Sequence, residues 1–307
     1  MAINWFPGHM HKARKEIKKV MPQMDLIIEV VDARIPFSSE NPLVPSLRGD
    51  TPLIKVLNKR DLADPVITEQ WLAWLEQERG VRAVTLTHNQ RQEALGILKL
   101  AEEMTPGHDR QKSALRVMIL GIPNVGKSTL INTLAGRPAA KTGNEPAVTR
   151  AQQAIKLPDN VLLYDTPGFL WPKLSPVQCG YRLAITGAIR SAVLDFEDVA
   201  LFEADYLIAH YPELVVNRYG LDETPVDGLA LMDAIAVKRR FLGRGGVPDL
   251  HKVSEVLLNE LRAGTLGRIS LETPDMVEQE LVEAQAREQA EAEERARKDE
   301  QRKKKKR

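Results

Sequence analysis

The sequence has little of what extracellular or membrane proteins use. Cysteine occurs once, at Cys179, which excludes an internal disulfide framework and fits a reducing compartment. No apolar run approaches the roughly 18 residues that cross a bilayer, and the first residues lack the apolar stretch of a secretory signal. A net charge of one sign is also missing, since 43 Lys and Arg oppose 42 Asp and Glu. We expect a soluble, cytoplasmic protein.

What is present suffices for more than one domain. The chain has 307 residues, and 43% of them are hydrophobic, which excludes global disorder. Charges are unevenly placed: residues 12–19 are crowded with Lys and Arg, and the acidic stretch 278–294 precedes a basic run at 302–307. Such clusters can bind nucleic-acid phosphates, although each is equally well explained as a solvated surface.

Apolar runs alternate with helical patterns over the first half of the chain. This alternation predicts a parallel-rich sheet with helices on both faces, and helical patterns dominate from about 175 to about 270. A basic amphipathic helix is predicted over 10–21. The predicted strands are Leu26–Val31, Leu53–Leu57, Ala83–Leu86, Leu115–Leu120, Ala154–Leu157 and Val161–Tyr164, and the predicted helices are Ile67–Gln77, Glu93–Met104 and Ser128–Ala135.

A phosphate-binding loop follows the strand at 115–120. Residues 121–128 read G-I-P-N-V-G-K-S and match G-x-x-x-x-G-K-[ST] between a predicted strand and a predicted helix. Lys127 is expected to reach the β- and γ-phosphates and the Ser128 hydroxyl to bind Mg²⁺, while backbone N–H groups and the helix N-terminus face the phosphates. The candidate phosphate-binding residues are Gly121, Asn124, Val125, Gly126, Lys127, Ser128 and Gly168. This loop alone does not distinguish GTP from ATP.

Residues 58–61, N-K-R-D, resemble the guanine motif of GTPases and directly follow a predicted strand. In that motif the Asp61 carboxylate would accept hydrogen bonds from guanine, which adenine cannot donate. Asn58 would fix the loop, and the Lys59 stem would lie over the base. The stretch 85–89 matches the usual base-contacting loop poorly, and Thr87 is the candidate there.

Residues 165–168, D-T-P-G, resemble the D-x-x-G switch of GTPases. Asp165 would hold Mg²⁺ through water, and the Gly168 N–H would sense the γ-phosphate. Thr149 lies between the phosphate loop and this switch, where a metal-sensing threonine belongs. The motif order is unusual because the guanine motif precedes the phosphate loop, and a permuted chain can rebuild the same site.

Together with this order, two further motifs resemble one family, the circularly permuted GTPases of the ribosome biogenesis GTPase A family. They are W-F-P-G-H-M at 5–10 and D-A-R-I-P at 32–36. The resemblance covers roughly residues 3–273. It implies GTP hydrolysis coupled to late maturation of the large (50S) ribosomal subunit, with binding to the subunit and its 23S rRNA. We expect a monomer that binds neither DNA nor membranes.

The expected fold is α/β: a circularly permuted P-loop GTPase domain followed by a small all-α domain. We predict a basic arm and helix at 1–22, the GTPase domain at 23–174, a helical RNA- and ribosome-binding domain at 175–273, and a charged, mobile tail at 274–307. Ala147 stands where the family commonly has glycine, next to the switch threonine.

Phe169 follows the D-x-x-G motif, where many GTPases have a glutamine that orients the attacking water. The resemblance assigns that task to His9, whose imidazole suits proton transfer near neutral pH; the alternative is that His9 only anchors the N-terminal arm or contacts RNA. Asn124 resembles the asparagine that holds an activating K⁺ beside the phosphates in cation-dependent relatives, or is an ordinary loop residue.

Three functions remain open from the sequence. The first is a slow GTPase that the ribosomal particle activates, with GTP as substrate and Mg²⁺ and K⁺ as cofactors. The second is a GTP-gated RNA- or ribosome-binding module in which hydrolysis is incidental. The third is a P-loop ATPase or nucleotide kinase, which the guanine motif opposes.

Overall fold

The computed structural model describes residues 17–87, 90–140, 153–166, 168, 170, 174–189 and 195–305. Its centre is a six-stranded sheet in the order β3-β2-β1-β4-β6-β5, in which only β5 runs antiparallel to its neighbour. The strands are Leu26–Asp32 (β1), Leu53–Asn58 (β2), Val81–Leu86 (β3), Leu115–Gly121 (β4), Gln153–Leu157 (β5) and Val161–Asp165 (β6).

The central strands are covered on both faces. Every residue of β1 and of β2 is buried, as expected for central strands of a parallel sheet. Glu29 and Lys55 interrupt the two apolar runs and lie 3.8 Å apart as a buried ion pair. Near the carboxyl end of β1, the neighbours Val30 and Val31 belong to two different apolar clusters. Successive side chains of a strand point to opposite faces, so the sheet has a packed layer on each side.

The helices follow the strands and then dominate the chain beyond β6. They are Val44–Arg48 (α1), Pro65–Leu75 (α2), Arg91–Glu103 (α3), Lys127–Ala135 (α4), Val177–Ile185 (α5), Phe196–His210 (α6), Pro212–Tyr219 (α7), Gly228–Arg239 (α8), Leu250–Ala263 (α9) and Pro274–Lys305 (α10). Among the described residues, every helix is too short or too polar to cross a lipid bilayer.

The predicted strands are all present, each with bounds within two residues of the prediction. The antiparallel direction of β5 was not predicted. It follows from the tight turn at residues 158–160, where Asp159 and Asn160 adopt positive φ angles of 55° and 53°. Such residues favour hairpin turns, and a hairpin makes its two strands antiparallel. The short helix α1 was not predicted either.

The ends of the described chain pack onto this core. Residues 17–20 are helical, and Ile17 and Met21 of the predicted apolar stripe are buried. Residues 10–16 of the predicted basic helix lie outside the described residues. At the other end, Val277 of α10 is fully buried beside Trp71 and Leu75 of α2. Mobility was predicted for all of 274–307, but the first turns of this segment are packed. For the rest of the segment mobility stays a prediction. The predicted domain boundaries stay predictions.

Candidate nucleotide-binding site

The motifs singled out in the sequence meet at the carboxyl edge of the sheet. In the strand register, Asp32 is opposite Asn58, Val30 is opposite Gly121, and Ile119 is opposite Asp165. The ends of β1, β2, β4 and β6 therefore lie side by side. In α/β sheets this edge is where ligands bind.

The phosphate loop joins β4 to α4, and two of its glycines pack too closely against neighbouring atoms to be replaced by a residue with a side chain. Gly126 has a φ of 92°, and a Cβ built there would overlap the Asn58 amide. At Gly121 a Cβ would lie 2.6 Å from the Val30 carbonyl oxygen. Asn124 also has a positive φ, 63°, which asparagine tolerates better than most residues. The loop thus curls tightly before Lys127 begins α4.

The guanine motif is bonded directly to the phosphate loop. The Asn58 Nδ2 amide donates to the Val125 carbonyl oxygen at 2.7 Å, across 67 residues of sequence. The chain then turns at Lys59, which has a φ of 62°, and Asp61 is exposed in the following short 3₁₀ helix, Arg60–Leu62. The guanine motif and the phosphate loop are therefore hydrogen-bonded to each other, although the permutation places them far apart in sequence.

The Lys59 ammonium is hydrogen-bonded to the buried ion pair between Asp32 and Arg34. Its Nζ donates to Asp32 Oδ2 at 2.8 Å, and the Arg34 guanidinium donates to both oxygens of the same carboxylate at 2.9 and 2.8 Å. Burial alone would raise the pKa of Asp32, but the charges of Arg34 and Lys59 outweigh it and hold that pKa below its ordinary value. The pKa of Lys59 is lowered by burial, which Asp32 offsets only in part.

The D-x-x-G segment lies against the phosphate loop. The Lys127 ammonium contacts the Asp165 carboxylate, and both side chains are buried; burial lowers the pKa of Lys127, and Asp165 opposes that shift. The Thr166 hydroxyl donates to the Ile119 carbonyl oxygen at 2.9 Å. A Cβ on Gly168 would lie 3.2 Å from the Pro123 nitrogen, so this glycine allows the close approach.

The donor groups at this point suit a hard divalent cation. Ser128, half-buried in the first turn of α4, supplies a hydroxyl oxygen and Asp165 a carboxylate oxygen. Oxygen ligands completed by phosphates and water are the set that Mg²⁺ prefers. The described residues contain no group of three or more His, Cys, Asp or Glu that could hold a metal by themselves. The third candidate ligand, Thr149, lies outside the described residues, as does His9.

A concavity opens beside the guanine motif, between β2, β3 and α4. Asn58, Thr87, Gly126 and Thr129 are among the residues that line it. The Thr87 N–H donates to Glu93 at 3.2 Å, and the same carboxylate pairs with Arg60 of the guanine motif at 2.9 Å. The structure therefore brings the weakly matching Thr87 to the base end of the site.

Comparisons with known proteins agree with this arrangement. The model of the family described as 50S ribosome-binding GTPase matches residues 116–216, which begin at β4 and leave the guanine motif upstream. Ribosome biogenesis GTPase A of Priestia megaterium is 43% identical over 92% of this chain and all of its own length. The chain belongs to the ribosome biogenesis GTPase A family. As a member of that family it is a GTPase.

Other matches extend along the same length of chain. Mitochondrial ribosome-associated GTPase 1 of Bos taurus is 33% identical over 93% of this chain and 91% of its own. The GNP-bound crystal structure of YlqF from T. maritima has a TM-score of 0.60 and 28% identity, covering 86% of this chain and 99% of that one. The predicted α/β fold and its circular permutation are thereby confirmed, and the ATPase or kinase alternative is set aside.

Sequence reasoning missed two sets of contacts that position the guanine motif. Residues after α9 return to the guanine motif: the Ile269 N–H donates to the Leu62 carbonyl at 2.9 Å, and Arg268 Nε donates to the Ala63 carbonyl at 2.9 Å. No local sequence pattern signals such a contact, because it joins residues about two hundred positions apart. Asp32 and Arg34 did carry a signal, the D-A-R-I-P motif, but the sequence alone assigned them no role.

Asn124 connects the phosphate loop to the helical region. Its Nδ2 donates to the Gly187 carbonyl oxygen at 2.7 Å, in the turn after α5. Arg262 of α9 holds the preceding carbonyls of Ala184 and Ile185 at 2.8 and 2.6 Å. That contact uses the amide nitrogen of Asn124, whereas a K⁺ ion would be coordinated by its oxygen. The K⁺ role of Asn124 stays a prediction.

Proposed function

We propose that this GTPase acts as a monomer on the large (50S) ribosomal subunit at a late step of its assembly, in the cytoplasm, and that the particle stimulates its GTP hydrolysis. The observation that carries the GTP site is the Asn58–Val125 hydrogen bond of 2.7 Å, which joins the guanine motif to the phosphate loop. The ribosomal part rests on the relatives' names and on the description of the matching family model.

The phosphate end binds the charged part of GTP. Backbone N–H groups of the phosphate loop, of which Pro123 has none, and the N-terminus of α4 would face the phosphates, and Lys127 would neutralise the β- and γ-oxygens. At the base end, the exposed Asp61 accepts hydrogen bonds from guanine, Asn58 fixes the loop, and Thr87 lies beside the base.

Ser128, Thr149 and Asp165 would hold Mg²⁺, Asp165 through a water molecule. When bound, the ion would offset the charge that develops on the phosphates during phosphoryl transfer. Gly168, which packs against Pro123, would donate its N–H to the γ-phosphate, and segment 165–168 would then respond to hydrolysis.

The attacking water needs a residue to orient it. Phe169 follows the D-x-x-G motif and cannot form a hydrogen bond to water, so isolated turnover is expected to be slow. We assign the water to His9 of the N-terminal arm, brought over the site when the particle is bound. K⁺ held by the Asn124 oxygen would then stabilise developing charge in place of an arginine finger.

Basic side chains on the helical region supply the expected contacts to 23S rRNA. Lys238, Arg239, Arg240 and Arg244 are all exposed at or beyond the end of α8. Arg239 is partly neutralised by Glu260 at 3.2 Å, while Arg240 projects from a left-handed cap position. Binding of this kind is salt-dependent and weakly sequence-specific. We propose residues 175–273 as the ribosome-binding part.

A second function is favoured by Phe169 in place of a catalytic glutamine. In that case GTP binding gates docking to the particle, and hydrolysis is incidental. The two functions differ in one measurable property, which is turnover in the presence of the particle.

The test is GTP turnover in potassium buffer, with and without purified large subunits, for the wild type, His9→Ala and His11→Ala. We expect strong stimulation by subunits that is lost in His9→Ala and kept in His11→Ala, the matched control two residues away. Replacing K⁺ by Na⁺ is expected to lower the stimulated rate.

Each other outcome revises a specific assignment. Stimulation that survives His9→Ala would keep the function and move the water-orienting role elsewhere. Absence of stimulation by subunits would favour the GTP-gated binding module. Equal rates in K⁺ and Na⁺ would remove the cation role of Asn124.

A further inference from the structure

The Asp32 carboxylate lies where the guanine motif leaves the sheet. It is the last residue of β1 and is opposite Asn58, the residue before Lys59. Its side chain is only 3% exposed, so its oxygens depend on protein donors. They accept four hydrogen bonds: Oδ1 from the Arg34 N–H at 3.1 Å and Nε at 2.9 Å, and Oδ2 from Arg34 Nη2 and Lys59 Nζ, each at 2.8 Å.

Arg34 leaves the carboxylate a single orientation. Three of the four bonds come from this one residue, and a bidentate guanidinium fixes the carboxylate plane. The Arg34 carbonyl oxygen in turn accepts the Leu271 N–H at 2.8 Å, which ties Arg34 to the segment after α9. The direction of the remaining lone pair of Oδ2 is therefore fixed, and the Lys59 ammonium donates to it.

The consequence for Lys59 is a fixed side chain. Its backbone is left-handed and its side chain is 23% exposed. A free lysine samples many rotamers, and immobilising it on ligand binding costs conformational entropy. Anchored at its ammonium, Lys59 has already lost that freedom before any base arrives.

We propose that Asp32 is a positioning residue for guanine recognition, which acts by holding Lys59 so that its stem forms one wall of the base site. This inference rests on the proposed GTP site. Asp32 itself does not contact the nucleotide, and its effect on nucleotide affinity depends entirely on Lys59. Because GTP and GDP carry the same base, Asp32 affects the affinity for both nucleotides equally.

The test is a double-mutant cycle on the full chain, read out as the dissociation constants of GDP and of a non-hydrolysable GTP analogue. Charge-assisted hydrogen bonds of this kind correspond to about tenfold or more in affinity, so Asp32→Asn is expected to weaken both nucleotides about tenfold, by the same factor. In a Lys59→Met background, Asp32→Asn is expected to change either affinity less than about twofold.

Two outcomes separate this inference from the proposed function. Additive effects of the two substitutions, or a change in GTP affinity without the same change for GDP, would overturn the role of Asp32. If Lys59→Met leaves both affinities unchanged, the assignment of Lys59 to the guanine site in the proposed function is wrong.

Asp32→Asn leaves Arg34 without its counter-charge and risks misfolding, so Asp32→Glu is measured beside it. That variant keeps the charge at Arg34 but displaces the carboxylate, and we expect weaker GDP binding at a temperature where circular dichroism shows the variant to be fully folded. Unchanged GDP affinity in Asp32→Glu would contradict the inference.

Glu40→Gln is the matched control, since it removes a carboxylate that lies 2.6 Å from the buried ammonium of Lys55 in β2. A loss of nucleotide affinity in Glu40→Gln as large as in Asp32→Asn would equally overturn it.

Discussion

At the scale of single residues, the phosphate loop depends on a glycine that two motifs share. Gly126 needs its positive φ to enter α4, and it also leaves the space that the Asn58 amide occupies. The same Asn58 amide then reaches the Val125 carbonyl. One small residue therefore allows both the turn toward the phosphates and the contact with the guanine motif.

Gly126→Ala is expected to abolish measurable GTP and GDP binding. The added methyl group overlaps the Asn58 amide, and a φ of 92° strains any residue with a side chain. Fluorescent-nucleotide titration measures the loss. Gly96→Ala in α3, where an added Cβ meets nothing within 4 Å, is the control and should bind like the wild type. Normal affinity of Gly126→Ala would show that the loop opens away from Asn58.

At the scale of elements, α10 has two unlike parts. Its beginning is anchored on both sides: Val277 packs on α2, Trp74 Nε1 donates to Glu278 at 2.9 Å, and the Arg182 guanidinium of α5 pairs with Glu280 at 2.8 and 2.6 Å. From residue 285 onward, each residue whose burial the structure describes is exposed. The anchored part joins α2 of the nucleotide-binding half to α5.

Truncation is expected to distinguish the two parts of α10. A chain ending at Thr273 loses a fully buried valine and the Glu280 partner of buried Arg182, so its free energy of unfolding should fall by about 3 kcal/mol. A chain ending at Gln285 loses residues that are exposed wherever the structure describes their burial, and it should stay within about 0.5 kcal/mol of the wild type. Urea unfolding followed by Trp fluorescence measures both. Equal stability of the two truncated chains would mean that the anchor contributes nothing to the fold.

At the scale of the whole molecule, a buried carboxyl lies between the two halves of the chain. Glu203 of α6 is fully buried, neither of its oxygens has a hydrogen-bond partner among the described residues, and the charges that act on it are those of Arg262 of α9 and Arg34 beside β1. Burial raises the pKa of Glu203 to about 8, against the opposing influence of both arginines.

This raised pKa makes stability depend on pH in a defined direction. An unfolded glutamate has a pKa of about 4.3, so between about 4.3 and 8 the folded state holds a proton that the unfolded state has lost. The contribution of Glu203 to the free energy of unfolding is therefore complete below about pH 4, falls as the pH rises to 8, and is constant above that.

The measurement is urea unfolding of the wild type and Glu203→Gln at pH 5.5, 7 and 8.5. We expect the stability of the wild type relative to the variant to fall over this range, by up to about 1.4 kcal/mol per pH unit below pH 8. Glu283→Gln on exposed α10 is the control, and its difference from the wild type should not change with pH. A constant difference for Glu203→Gln would mean that Glu203 stays ionised in the fold.

The sequence by itself determined the elements and the motifs of this protein. Predominantly apolar runs predicted the strands within two residues, because a parallel sheet covered on both faces tolerates few polar positions. The phosphate loop and the guanine motif were readable because their chemistry needs particular residues at fixed spacing. Their reversed order predicted the permutation, which the comparisons with known proteins confirm.

Only the tertiary structure decided how these parts hold one another. The Lys59–Asp32–Arg34 cluster, the Asn124–Gly187 bond and the return of residues 268–271 to the guanine motif join positions that no sequence period connects. The direction of β5 and the packing of Val277 likewise came from a turn and from an apolar surface on another element. Propensity and spacing act over a few residues, whereas burial and charge pairing depend on which surfaces the folded chain brings together.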